Sequence, residues 1–320
     1  MSINKTREEL VKMYVDSLKE GNIPWRQRWV SSLNVNGLTH QEYRGVNQLL
    51  LSFITYKEQY NDNRWMTYKQ IKDKGYKLKE AKGKGVPVEF WSAYDIKNKQ
   101  KISISDYENI IRNKPEVKDD YKLFCNTSYV FNGSLIDGLP QKDMYPYDKD
   151  IPSNVFIQRV IKGLGVKYKE EGSRAYYSPQ NDLVVIPPSF KFYDKYSYYA
   201  TQLHELCHAT GHSKRLNRDQ SNKNKKDYAR EELVAEISSS FLMGKLEIEP
   251  QELDYNNHKA YIQSWISILE DKPQELFKAI NESNKVCEFI DYKLRVKENE
   301  RWKIIFRRYM IKQISFYIMM

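Results

Sequence analysis

The chain is expected to fold as an α+β protein of two domains, and three observations support this. In the first 140 residues, runs with helical apolar spacing alternate with runs of strand character. A Pro- and Asp-rich stretch interrupts the chain from Pro140 to Pro152. Beyond it, an apolar strand, Asp182 to Ile186, precedes a histidine-rich helical segment. At 320 residues the chain is long enough for two cores. The expected division is a domain over 1–140, a linker over 141–152, a second domain over 153–292 and a basic tail over 293–320.

Taken in order, Arg7 to Leu18 places Leu10, Val11, Tyr14 and Leu18 on one helical face and stops near Gly21. Trp25 and Trp29 follow Pro24 and read as buried anchors. Residues 47–60 and 66–74 read as further helices, and Val86 to Tyr94 and Tyr121 to Phe131 as strands. The charged stretch Lys97 to Asp120 between them reads as a solvated hairpin or insertion. In the second half, Tyr168 to Tyr199 is tyrosine-rich, the Asp182 strand ends at Pro187-Pro188, and a helix over Tyr228 to Leu242 is closed by Gly244. The tail reads as a packed or frayed terminal helix, the alternative being a basic amphipathic helix that touches DNA or a membrane surface.

The chemistry concentrates in His204-Glu205-Leu206-Cys207-His208, an HExxH motif. Of five histidines in the chain, His204, His208 and His212 fall within nine residues. Residues four apart share a helix face, their Cβ atoms about 5–6 Å apart, so both imidazoles reach one Zn²⁺ at about 2.0–2.1 Å. Glu205 sits beside that stripe, placed to act as general base on water that zinc activates. The implied reaction is peptide hydrolysis. His212 is about 12 Å from His204 along a continuous helix. Gly211 is expected to end the helix, and Lys214 stands where a metzincin pattern has its third histidine. The third ligand is therefore sought on the next helix, at Glu232, with Glu231 as the alternative, and Glu236 is expected behind a ligand imidazole as its orienting partner. The same geometry also holds a zinc that only stabilises a fold.

Net charge of +10 and a pI near 9.1 favour a polyanionic partner. No run of 18 apolar residues is present, so no membrane span is expected. The N-terminal residues lack the apolar core of a signal peptide. Cys125, Cys207 and Cys287 are few, odd in number and dispersed, as expected of a cytoplasmic protein. Between Arg64 and Lys84, eight basic residues face only Asp73 and Glu80, with Trp65, Tyr68 and Tyr76 interleaved. Such a segment either binds single strands, by phosphate tracking and base stacking, or is a solvated lysine-rich face.

The run from Tyr199 to His212, then Arg215-Leu216, then Tyr228-Ala-Arg-Glu-Glu-Leu-Val-Ala-Glu236, resembles the zincin metallopeptidase domain of ArdC-type antirestriction proteins. Tyr43-Arg-Gly-Val-Asn47, Trp65-Met-Thr-Tyr-Lys-Gln70, Lys82-Gly-Lys-Gly85, Val130-Phe-Asn132 and Asp137-Gly-Leu139 are similar to that family's N-terminal single-stranded-DNA-binding domain. The resemblance implies a mobile-element protein that protects incoming DNA from host restriction. It implies Zn²⁺, with Mn²⁺ or another divalent ion as the alternative, and a host restriction or defence protein as peptidase substrate. It assigns DNA contacts to Arg44, Asn47, Arg64, Trp65, Tyr68, Lys69, Lys82 and Lys84. It makes the strand before the HExxH helix, in a mixed sheet, an exposed edge for extended substrate. Tyr228 becomes a candidate oxyanion group, its other role being to cap or pack its helix. The alternative is a DNA-binding shield or replication-associated protein whose zinc is structural. No primase catalytic residues are visible.

Overall fold

In the N-terminal half five strands form one long sheet and two more pair separately, whereas in the C-terminal half a short sheet accompanies a cluster of helices. The structure is a computed structural model and describes residues 5–21, 33–140, 153–218, 225–246 and 259–294. They pack as two units, one spanning Asn34–Met144 and the other comprising the described residues on either side of it.

The Asn34–Met144 unit is built on β1 (Val35–Asn36), β2 (Arg64–Thr67), β4 (Val86–Asp95), β5 (Gln100–Ser103) and β6 (Tyr121–Asn132), in the order β1-β2-β6-β4-β5. β3 (Lys77–Leu78) pairs separately with β7 (Ile136–Asp137). β1 lies parallel to β2, and the other pairs of the long sheet are antiparallel. Helices α2 (Gly45–Lys57), α3 (Tyr68–Asp73) and α4 (Ile104–Asn113) complete the unit. The long β4–β6 ladder runs from Val86↔Val130 to Asp95↔Tyr121, whereas β2 pairs with β6 only at residues 130–132.

Side chains alternate across this sheet. On one face Trp65 donates its Nε1–H to Asn34 Oδ1 at 2.8 Å, and Asn34 is bonded in turn to Gln48 and Ser52 of α2. On the other, Met66, Ile71 and Ile136 form a core with Tyr76, Leu78, Phe131 and Leu139. The expected helix over 66–74 is thus corrected: Trp65 and Met66 belong to β2, and α3 begins only at Tyr68. The reason is local, because Thr67 caps α3 through a capping box with Gln70. The stretch Lys97 to Asp120 is ordered as β5, α4 and a 3-10 turn, with Ser103 accepting the N–H of Asp106 at the helix start.

The second unit contains α1 (Lys5–Lys19), α5 (Ser153–Leu164), β8 (Lys167–Glu170), β9 (Tyr176–Ser178), β10 (Leu183–Ile186), α6 (Lys195–Ala209), α7 (Lys225–Leu246), α8 (Lys259–Asp271) and α9 over 274–294. Its sheet order is β8-β10-β9, parallel then antiparallel. The strand before the HExxH helix is therefore central, which corrects the expected edge, and β8 and β9 are the two edges. α7 continues through Gly244, which does not close it. From Ala229 to Gly244 it is buried at nearly every position, as a central helix must be. Ser238, Ser239 and Ser240 satisfy their hydroxyls on carbonyls of the same helix.

α1 was expected with the first domain but packs in the second unit. Leu10, Val11, Tyr14, Val15 and Leu18 are buried, Arg7 lies 4.8 Å over the Phe277 ring, and Lys19 pairs with Glu270 at 2.6 Å. Trp25, Trp29, the 141–152 linker and nearly all of the 293–320 tail lie outside the described residues.

Candidate metal centre

α6 is started by Asp194, whose carboxylate accepts the Ser197 N–H at 2.7 Å. It ends at Ala209 just before Gly211, whose φ is not positive. The chain then turns back on itself: Leu216 N–H reaches Thr210 O, and the Arg215 guanidinium caps the Ala209 carbonyl at 2.6 Å. Arg215 is buried and also binds Asp182 just before β10, the Leu164 carbonyl of α5 and the Tyr177 hydroxyl. One cation so ties α5, β9, β10 and the end of α6 together.

Within α6 the rings of His204 and His208 are 4.7 Å apart, nearly perpendicular, with their Nε2 atoms 3.1 Å apart. Glu232 of α7 closes the triangle, Oε2 at 3.4 Å from His204 Nε2 and Oε1 at 3.3 Å from His208 Nε2. Three donor atoms from these residues lie within 4.8 Å of one another. A tetrahedral ion with bonds of about 2.0–2.1 Å separates its ligand atoms by about 3.3–3.4 Å, so the residues present fit a small divalent cation. Two neutral imidazoles and one carboxylate are the donor set of a metallohydrolase site with an open position.

Behind the rings stand two more carboxylates. Glu236 Oε1 lies 3.0 Å from His204 Nδ1, and Glu231 Oε1 lies 3.2 Å from His208 Nδ1. Glu231 accepts from His208 Nδ1 in the tautomer that leaves Nε2 free to ligate, and Glu236 stands close to the corresponding atom of His204. Glu231 thus faces the side of His208 away from the convergence of Nε2 atoms. It is gripped by the buried Arg218, which binds both carboxylate oxygens at 2.7 and 3.1 Å. Arg218 also donates to the Cys207 carbonyl and the Thr210 hydroxyl, joining α6 to α7. Neither Arg218 nor Glu231 was singled out in these roles by sequence. A lone arginine past a helix end carries no signal until folding brings it to a carboxylate.

The charges are tightly coupled. Burial opposes charge on the imidazoles, but the neighbouring glutamates outweigh it, raising His208 to about 9 and His204 well above its ordinary value. Burial would raise the glutamates, yet the imidazoles and Arg218 bring Glu231 to about 2, and the imidazoles hold Glu232 well below the carboxylate range. Glu205 differs: burial dominates and raises it, with the neighbouring imidazoles opposing. A desolvated carboxylate close to the ligand triangle is poised to accept a proton. Tyr228 lies one turn before Glu232, partly exposed, and His212 sits outside the triangle with Nδ1 accepting the Lys214 N–H.

The expected DNA contacts separate. Trp65 is 0% exposed, which corrects its assignment, since a ring sealed under α2 offers no face to a base. Asn47 is also committed: its amide exchanges two hydrogen bonds with the Glu89 main chain, at 2.7 and 2.8 Å, standing in for a strand beside β4. Arg64 is forked onto Asp62 at 2.6 Å and is largely buried. Arg44, Tyr68, Lys69, Lys82 and Lys84 are exposed, Lys84 pairing with Glu58 at 3.5 Å.

Comparison with known proteins assigns both halves. Residues 156–282 match the family of zincin-like metallopeptidases, and residues 4–131 match the N-terminal domain of anti-restriction factor ArdC. DNA primase TraC of Escherichia coli is 32% identical over 294 residues, covering 88% of this chain, whereas the chain spans only 20% of that primase's length. The crystal structure of antirestriction protein ArdC from plasmid R388 in its metal-free form is 26% identical, with a TM-score of 0.69, covering 91% of this chain and 98% of that one. The Mn(II)-bound form of the same protein is 27% identical with a TM-score of 0.68 and the same coverage. Among the described residues no helix is long and apolar enough to cross a membrane.

Proposed function

The chain is a two-domain protein of the ArdC type, an ArdC N-terminal domain followed by a zincin-like metallopeptidase domain, and we propose that it acts as an antirestriction protein of a mobile element. In this reading it binds single-stranded DNA through its N-terminal unit and carries a metal-dependent peptidase that disarms a host restriction or defence protein. The observation that carries the reading is the convergence of His204, His208 and Glu232 beside a buried Glu205. The metal is Zn²⁺, or Mn²⁺ as in the R388 relative. When bound, such an ion polarises a peptide carbonyl and makes water acidic. Glu205 takes the water's proton and delivers it to the leaving amine, its burial matching its basicity to that task. Glu231 keeps the His208 imidazole in the ligating tautomer, and Glu236 stands close to Nδ1 of His204.

A second reading, a single-stranded-DNA shield with a structural metal, is favoured by the depth of the site, where the histidine side chains are only 12% exposed. Glu205→Gln separates the two. It retains fold and metal but removes the base, so loss of protection of incoming DNA supports proteolysis. Undiminished protection refutes it and leaves the shield.

A further inference from the structure

Strand β6 is unusual in the Asn34–Met144 unit because every residue from Lys122 to Tyr129 is exposed, so that neither face of the β4–β6 ribbon is fully covered there. Two large rings stand on that ribbon in water, Phe90 at 63% and Phe124 at 48% exposure. The register places them on one face. Phe90 pairs with Asn126 and Ser92 with Phe124, so the two rings are diagonal neighbours, about 7–8 Å apart. Apolar rings exposed together on one face make it a candidate binding surface.

The same parity sorts the charges. The next row of this face runs Lys101–Tyr94–Lys122 across three strands, with both lysines exposed. The two carboxylates of β4 alternate to the opposite face, where Glu89 accepts from Trp91 Nε1 at 2.9 Å and Asp95 accepts from Asn98. Asp106 reaches the Ser103 hydroxyl at the sheet edge. Between the rings lies Ser92, 2% exposed, whose hydroxyl has no partner among the described residues.

We propose that this face receives single-stranded nucleic acid, with bases stacked on Phe90 and Phe124 and phosphates drawn to Lys101 and Lys122. The assignment rests on the reading of the N-terminal unit as DNA-binding and locates its stacking surface. That surface is distinct from the lysine-rich Arg64–Lys84 segment, whose Trp65 is sealed and whose Tyr76 joins the Met66 core. Rings and cations without a hydrogen-bonding edge for each base recognise a strand without reading its sequence. A protein ligand fits less well, because no carboxylate of β4, β5 or β6 lies on this face and the flanking lysines favour a polyanion.

Fluorescence anisotropy of a labelled oligothymidylate with the full chain tests this. Phe90→Ala and Phe124→Ala each weaken binding about 5- to 150-fold, while Tyr129→Ala, on the opposite face, stays near wild type. Lys101→Gln with Lys122→Gln lowers the salt slope by about 0.7 per charge. Because both rings are exposed, thermal melting of the variants matches wild type and separates lost binding from lost folding. Wild-type affinity in the Phe90→Ala/Phe124→Ala double variant overturns the proposal, leaves the DNA-binding reading intact and gives the rings to another partner. Absence of any binding by the wild type overturns both.

Discussion

The ring of His208 is held by a relay that ends in a buried cation: Arg218 grips Glu231, and Glu231 stands 3.2 Å from His208 Nδ1. Arg218→Met leaves Glu231 buried without its fork, so the imidazole loses its orientation. Metal affinity, measured by calorimetric titration of Zn²⁺, is expected to fall about 10- to 100-fold, the usual effect of removing an outer partner of a ligand. Arg218→Lys recovers part of it, since an ammonium supplies charge without the two-pronged geometry. A second prediction follows from protonation. In the metal-free protein the neighbouring glutamates raise His208 to about 9 and His204 above its ordinary value, which favours protonated imidazoles at neutral pH. Metal binding therefore releases protons, and affinity rises with pH towards about 9, by up to about tenfold per unit for each imidazole deprotonated. Calorimetry in buffers of different ionisation enthalpy reads that release directly. The sign for metal-free stability is opposite. Raised histidine pKa values stabilise the fold below the unfolded value of about 6.5, and that contribution is lost as pH rises through about 9.

Among the elements, the tie formed by Arg215 among α5, β9, β10 and α6 carries a stability prediction. Its guanidinium serves Asp182, the Ala209 and Leu164 carbonyls and the Tyr177 hydroxyl, with 4% of the side chain exposed. Arg215→Ala leaves the half-buried Asp182 carboxylate and two carbonyls without their donor and is expected to cost about 1–3 kcal/mol in urea denaturation. Burial opposes charge on Asp182, but Arg215 and Tyr177 hold it below the usual carboxylate range. That share of stability is present above the unfolded pKa of about 3.9 and lost as pH falls through the folded value. In the other unit, Trp65→Phe loses the bond to Asn34 Oδ1 and destabilises by about 1–3 kcal/mol. It is expected to leave affinity for single-stranded DNA unchanged in the folded protein, because the ring reaches no surface. The alternation of Val86 to Tyr94 made that strand readable, whereas 66–74 misled because Thr67 and Gln70 cap a helix whose preceding apolar pair belongs to β2. On that alternation Phe90 shares the face of the buried Val86 and Val88, yet it is exposed. The contrary signal was β6, where Lys122, Asn126, Thr127 and Ser128 put polar groups on both faces and deny the ribbon a core there.

At the scale of the whole chain, the α+β class and the paired domains were legible, because strand alternation, helix spacing and the His204–Glu205–His208 cluster are local patterns. The placement of α1 was not. Its apolar face states that it must be buried but not against what, and only the fold sets Leu10, Tyr14 and Leu18 beside α8. The site divides in the same way: helix periodicity puts His204 and His208 on one face, while the choice among Glu231, Glu232 and Glu236 needs the phase of α7 against α6. In the structure Glu232 meets both Nε2 atoms and its neighbours meet the Nδ1 atoms. The central claim is that these three side chains hold one divalent ion beside Glu205. Calorimetric titration of Zn²⁺ into the metal-stripped full chain tests it most directly. The account predicts one ion per chain for wild type and Glu205→Gln, and a lost high-affinity site in His204→Ala and Glu232→Ala. A wild-type isotherm in either alanine variant would contradict it.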